Sequence, residues 1–197
     1  HTHSGEADFD SYGENVAMYI SEVPFWTHRI LWQLLFSGKF DRFPGLKYAV
    51  VECGSFWVGD LLWKSDVNFG GSSKIKKLGT RMKGLVSKLP SEYFGTSVFI
   101  GASTMSLEEI RRRHVNGIDA LMWGTDYPHP EGSWPKTVER LENDFREVSI
   151  EDTRRLLGLN AVECYGLDLG GLTKVAERVG PTPEDLNQDP NLRTPHD

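Results

Sequence analysis

Several features that mark specialised classes of protein are scarce in this sequence. Its 197 residues include two cysteines, Cys53 and Cys164, which form neither a disulfide framework nor the spacing of a zinc knuckle. The net charge is −6, so the chain lacks the basic surface that nucleic-acid binding requires. No apolar run approaches the roughly 20 residues that span a bilayer. We therefore predict a cytoplasmic protein that binds neither nucleic acid nor membrane.

Three short apolar segments have the character of buried parallel strands. They cover residues 47–51, 97–100 and 120–123, and each is continuously hydrophobic rather than alternating. Each ends in glycine with a small or acidic residue, as tight strand-to-helix loops do. We expect the three strands to be adjacent and parallel.

Helical patterns separate these strands. We predict helices over residues 23–37, 56–68, about 106–114 and 149–158, and a basic, solvated helix over 74–88. Ser106 and Glu109 have the spacing of a capping box, and Gly158 is predicted to end the helix that Ser149 opens. Strands that alternate with helices predict an α/β fold with a parallel sheet and right-handed crossovers.

Candidate functional residues follow the predicted strands. In α/β barrels catalytic groups lie at the carboxyl ends of the strands, which here singles out His1 or His3, Glu52, Ser103 and Asp126. Histidine, glutamate and aspartate supply the nitrogen and oxygen ligands that zinc and similar divalent ions accept. These positions are far apart in sequence, so only the barrel hypothesis brings them together.

Asp126 stands in the most distinctive local sequence. It follows a buried strand and is followed at once by Tyr127-Pro128-His129-Pro130, and the two prolines favour an extended, stiff loop. Strand-end aspartates also cap the next helix or accept loop N–H groups. From the residues alone, a functional and a structural role for Asp126 stay open.

Three ordered segments resemble the amidohydrolase-2 family, the group that contains the aminocarboxymuconate-semialdehyde decarboxylase-like enzymes. Residues 124–130, Gly-Thr-Asp-Tyr-Pro-His-Pro, resemble the signature after the family's last barrel strand. Residues 40–47, Phe-Asp-Arg-Phe-Pro-Gly-Leu-Lys, resemble its lead-in to strand six, and residues 156–161, with Tyr165-Gly166 after them, are similar to its closing helix. The resemblance implies that residues 1–175 are the C-terminal half of a (β/α)8 TIM barrel of the metal-dependent hydrolase type. Residues 176–197, rich in proline and aspartate, are predicted to be an extended tail.

The resemblance also implies roles for individual residues. Asp126 matches the aspartate that binds the metal from strand eight, and it is expected to handle a proton as well. The segment from His1 to His3 looks like the end of strand five, which supplies a histidine ligand; we favour His3 and keep His1 as the alternative. His129 is predicted to orient the carboxylate of Asp126.

The sequence departs from the family's pattern after strand six. Glu52 stands where the family's decarboxylases usually have a histidine that transfers protons. Glu52 could serve as a general acid or base, as a ligand or anchor near the cation, or as the partner of an arginine such as Arg29. This substitution counts against decarboxylation more than against metal binding. His28, in the preceding helix, is predicted to be a structural residue.

We therefore expect a hydrolase or decarboxylase that depends on a divalent metal, with zinc preferred, and that acts on a small carboxylated or cyclic molecule. The sequence begins without methionine, and we expect one piece of a longer product. Four strands cannot close a barrel, so activity is expected only with a complementary N-terminal half-barrel polypeptide, and a homo-oligomer is expected. The alternative is a non-catalytic, barrel-derived subunit that serves assembly.

Overall fold

A parallel sheet is the centre of the fold. The computed structural model describes residues 1–2, 15–69 and 86–193. Its strands are β1 (Tyr48–Val51), β2 (Val98–Ser103) and β3 (Leu121–Gly124), in the order β1-β2-β3, and both pairs are parallel. The predicted strands and their parallel arrangement are thereby confirmed. The predicted helix over residues 74–88 lies outside the described residues except for its last three.

The first residues of the chain extend the sheet beyond β1. Thr2 forms an isolated parallel bridge with Val50. Its N–H donates to the carbonyl of Ala49 at 3.0 Å, and its own carbonyl accepts from the N–H of Val51 at 2.9 Å. The chain at Thr2 therefore runs alongside β1 in the same direction.

Helices connect the strands and flank the sheet. In chain order they are α1 (Val16–Leu35), α2 (Lys39–Arg42), α3 (Phe56–Phe69), α4 (Leu107–Arg111), α5 (Thr137–Phe145), α6 (Ile150–Arg154), α7 (Asn160–Tyr165) and α8 (Leu169–Val179). Short 3-10 turns cover Pro90–Tyr93 and Ile118–Ala120. The predicted capping box is present at α4, where Ser106 and Glu109 bond reciprocally.

The predicted helix boundaries at residues 23 and 158 were wrong, and the helix predicted to reach about residue 114 ends at Arg111. Helix α1 begins seven residues earlier than residue 23, because the side chain of Asn15 accepts the N–H of Met18 at 3.1 Å and caps it there. Gly158 does not end the helix opened by Ser149. A π-helical turn over Arg155–Leu159 joins α6 to α7, and the left-handed C-cap is Gly166, at φ 63°.

The sheet is buried on both faces, which explains its continuously hydrophobic strands. One face packs against the flanking helices through a large cluster that includes Leu31, Val50, Val58, Ile100, Ile110, Leu121 and Phe145. The other face carries Ala49, Phe99 and Met122, which pack with Cys164 of α7. Helix α7 is placed by Asn160, whose side-chain amide donates to the carbonyls of Ile118 and Leu121, both at 2.7 Å.

The C-terminal segment is attached to the domain. Part of the predicted tail belongs to α8, and the described chain after Gly180 has neither helix nor strand. Leu186 is nonetheless only 2% exposed, and Gln188 is buried. Within the part of the chain that the structure describes, none of the helices combines the length and apolarity of a membrane span.

Candidate active site

All three strands turn abruptly at their carboxyl ends. The residues at these turns are Glu52 (φ 58°), Thr104 (φ 45°) and Asp126 (φ 59°), and all three have left-handed backbone conformations without being glycine. Such a conformation costs roughly 1–2 kcal/mol per residue and often marks functional sites. Glu52 and Asp126 were predicted from the sequence, whereas Thr104 was not, because its left-handed backbone conformation leaves no mark on residue type.

Asp126 is accessible and lies next to His129. Its side chain is 24% exposed, and its Oδ2 lies 3.3 Å from Nδ1 of His129. The backbone N–H of His129 donates to the carbonyl of Asp126 at 2.8 Å, which closes a tight turn. Asp126 does not cap the following helix, since Lys136 is the N-cap of α5. Its carboxylate is thus presented at the strand end together with an imidazole.

The loop from Thr125 to Trp134 folds tightly around Gly132. A Cβ atom at Gly132 would lie 2.7 Å from the carbonyl oxygen of Thr125 and 3.0 Å from those of Asp126 and His129. The N–H of Ser133 donates to the carbonyl of Thr125 at 2.9 Å. The backbone around Asp126 therefore depends on a position that has no room for a side chain.

A buried carboxylate joins the loops that follow β1 and β2. Glu109 is 7% exposed. Its Oε1 accepts from the backbone N–H and the hydroxyl of Ser55, at 2.6 and 3.0 Å. Its Oε2 accepts from the same two groups of Ser106, both at 2.9 Å. The capping box was predicted, but the link to Ser55, 54 positions away, was not.

The turn that carries Glu52 packs against a stacked pair of rings, Trp57 and His28. The indole N–H of Trp57 donates to the carbonyls of Cys53 and Gly54, both at 3.0 Å. The ring of His28 stacks on Trp57 with centroids 3.7 Å apart. His28 is buried, and this burial lowers its pKa to about 4. Burial likewise raises the pKa of the Cys53 thiol.

The structure brings only some of the predicted site residues together. Asp126 and His129 are in contact. Glu52 is exposed at the same edge of the sheet, with β2 between the two strands that carry Glu52 and Asp126. The pairing of Thr2 with Val50 puts His1 level with Ala49, below the strand ends. His3 lies outside the described residues. Within the described ranges, no three residues of the types His, Cys, Asp and Glu are grouped to hold a metal ion.

A cavity of about 400 Å³ lies at the opposite end of the sheet. Its lining includes Thr96 and Asp119, which precede β2 and β3, and Asn160 and Glu163 of α7. Arg155 spans it, with Nη1 2.6 Å from Oδ1 of Asp119. This cavity is separate from the group of residues at the carboxyl ends.

A parallel sheet with helical connections and polar groups at its carboxyl ends defines an α/β protein of the kind that carries its site at the strand ends. The model of the amidohydrolase family matches residues 22–167, well over half of the chain. The chain belongs to the amidohydrolase family.

Several solved structures share the fold of this chain. A 5-carboxyvanillate decarboxylase from Sphingomonas paucimobilis is 23% identical, with a TM-score of 0.61 over 85% of this chain and 48% of that one. A dihydroxybenzoic acid decarboxylase from Polaromonas, with bound manganese and the inhibitor 2-nitroresorcinol, is 18% identical, with a TM-score of 0.55 over 83% and 48%. An amidohydrolase from Mycobacterium avium subsp. paratuberculosis is 23% identical, with a TM-score of 0.57 over 85% and 42%.

The chain spans about half the length of these solved structures. At such identities the likeness shows the fold. No curated protein matches the chain.

Proposed function

We propose that the protein is a decarboxylase of the amidohydrolase family that depends on a divalent metal and acts on a small carboxylated molecule. The observation that carries this proposal is the pairing of Asp126 with His129 in a strained turn at the end of β3. Two of the similar structures are decarboxylases of carboxylated compounds. Hydrolysis is the second candidate, because a carboxylate such as that of Glu52 can take a proton from water as well as give one to carbon.

The donor types at the strand ends fit a divalent cation in part. Asp126 offers carboxylate oxygens, which manganese and zinc both accept. The described residues alone do not complete a site, so we propose that His3 and residues of a complementary half-barrel supply the remaining ligands. The preference for zinc rests on donor types alone, whereas the dihydroxybenzoic acid decarboxylase holds manganese.

The chain's own residues would divide the chemistry as follows. A bound cation would supply polarisation of a substrate oxygen. Asp126 would hold the cation, and His129 would orient its carboxylate. In decarboxylation the C–C bond to the carboxylate breaks, carbon dioxide leaves, and the bonding electrons remain on the substrate carbon. We assign to Glu52 the delivery of a proton to that carbon.

We further propose that the chain is the C-terminal half of a (β/α)8 barrel. The described residues supply three parallel strands and, at Thr2, one parallel bridge beside β1, and the similar structures are about twice as long. A complementary N-terminal half-barrel would cover the two open edges, and a homo-oligomer stays a prediction.

The test is the substitution Asp126→Asn, made in the protein as its gene encodes it. Asparagine keeps the shape of the side chain but removes the charge that offsets dehydration of a divalent ion. We expect metal content, measured by elemental analysis, to fall at least about tenfold, activity to be lost, and the melting temperature to stay nearly unchanged. The matched control is Asp119→Asn, because Asp119 lies at the other end of the sheet, 62% exposed. If the parent protein holds no metal and Asp126→Asn changes nothing, the non-catalytic subunit replaces the proposal.

A further inference from the structure

Two exposed aromatic side chains border the Asp126–His129 pair. Tyr127 and Trp134 are 65% and 68% exposed. Their ring centroids lie 5.9 Å apart with an interplanar angle of 72°. We propose that these rings form a platform that binds the planar aromatic ring of the substrate. The inference rests on the proposed function, since it takes Asp126 as the centre of the active site.

Hydrogen bonds hold both ends of the loop that carries the two rings. The N–H of Tyr127 donates to the hydroxyl of Thr125 at 3.2 Å. At the other end of the loop, the hydroxyls of Ser133 and Thr137 lie 3.0 Å apart. Between them the backbone closes on Gly132, where a side chain would not fit. Because the loop is held at both ends, binding to the rings costs little ordering entropy of the backbone.

The arrangement of the rings favours an aromatic ligand. In an edge-to-face pair a third ring can stack on the exposed face of one partner, and such contacts are worth more than the apolar area they bury. Tyr127 is the chain neighbour of Asp126, and His129, 57% exposed, follows two residues later. A flat acid could therefore lie on the rings and direct its carboxylate towards Asp126 and the cation that it holds.

The experiment compares an aromatic acid with its saturated counterpart. The probes are 2,6-dihydroxybenzoate and cyclohexanecarboxylate, and their binding to the protein as its gene encodes it is measured by calorimetry with manganese present. The variants are Tyr127→Leu and Trp134→Leu, with Trp63→Leu as the matched control, because Trp63 on α3 is 66% exposed and far in sequence from this loop. For the aromatic acid we expect each platform variant to weaken binding about 2- to 10-fold. Binding of the saturated acid, metal content and the control should not change.

Further variants make each outcome decisive. Tyr127→Phe and Trp134→Phe keep a ring, so they should retain most of the affinity even if the leucine variants disturb the loop. Affinity that is unchanged in the leucine variants, or lost as much in the phenylalanine variants, overturns the platform. So does a parent protein that binds neither acid, or a change of oligomeric state in Trp134→Leu without a change in affinity, since the rings would then contact another subunit.

Failure of the proposed function has a different signature. If binding of 2,6-dihydroxybenzoate depends on Trp134 but responds neither to manganese nor to Asp126→Asn, the platform stands and the metal-dependent function falls.

Discussion

At the scale of single residues, His28 is the most unusual feature near the site. Its Nε2 is buried and, among the described residues, has no hydrogen-bond partner. An imidazolium at this position would lose its hydration without gaining an acceptor, and burial accordingly lowers the pKa of His28 from 6.5 to about 4. The ring is therefore neutral at pH 7 and packs as an aromatic group on Trp57. The expectation of a structural histidine agrees with this packing.

The lowered pKa of His28 makes stability depend on pH. Below pH 6.5 the unfolded chain binds a proton at His28 while the folded protein does not, until about pH 4. Stability is therefore lost as pH falls through this range, by about 2 kcal/mol at pH 5. We predict that His28→Phe, which keeps the stack on Trp57, makes the free energy of unfolding in urea fall by about 2 kcal/mol less between pH 7.5 and pH 5 than it does in the parent. Equal losses in the variant and the parent would show that His28 titrates normally in the folded protein.

At the scale of elements, the turns after the three strands are connected to each other rather than independent. Glu109 bonds the turn after β1 to the turn after β2 through four hydrogen bonds. The N–H of Thr104 donates to the carbonyl of Gly124 at 2.9 Å, which connects the end of β2 to β3. The loop that carries Asp126 in turn depends on close backbone contacts around Gly132. A change of backbone conformation in one turn is therefore expected to displace the neighbouring turns.

We predict that Gly132→Ala damages the site more than the fold. The added methyl group would press on three carbonyl oxygens of the Asp126 loop, so the loop must open, and we expect loss of bound metal and of affinity for 2,6-dihydroxybenzoate. Gly158→Ala is the control, since a Cβ there meets nothing within 4 Å and lies within a helical segment. It should leave the site intact and raise stability by about 0.5–1 kcal/mol in thermal melting. Full metal content in Gly132→Ala would refute this account of the loop.

At the scale of the whole molecule, the C-terminal segment closes the domain. After α8 the chain returns to bury Leu186 and Gln188. The side-chain amide of Gln188 donates to the carbonyls of Phe145 and Val148, at 3.0 and 3.1 Å, and to the hydroxyl of Thr153 at 2.6 Å. One amide thereby joins the end of α5 to α6, two elements separated by a connecting turn.

Removing this amide should destabilise the whole domain. In Gln188→Leu the carbonyl oxygen of Val148 loses its donor in a buried place, whereas that of Phe145 keeps the N–H of Val148 at 2.9 Å. Such a loss costs about 1–3 kcal/mol. We expect that decrease in the free energy of unfolding in urea, together with faster proteolysis after Gly180. Asn191→Leu serves as the control, because Asn191 is exposed and its side chain bonds only locally to Asp189. A change of less than 0.5 kcal/mol in Gln188→Leu would mean that the segment is not part of the cooperative unit.

The sequence by itself determined the parallel sheet and the positions at which chemistry could occur. Strands buried on both faces must be hydrophobic throughout, and local residue order marks the strand ends at Glu52 and Asp126. The tertiary structure decided what no local pattern encodes. Contacts between distant segments produce four such features. They are the left-handed turn at Thr104, the bond from Glu109 to Ser55, the buried Nε2 of His28 without a hydrogen-bond partner in the described part of the chain, and the helix that continues past Gly158. Tertiary packing decides which polar groups form hydrogen bonds with each other and which are buried without a partner. Residue type and spacing along the chain do not predict these contacts.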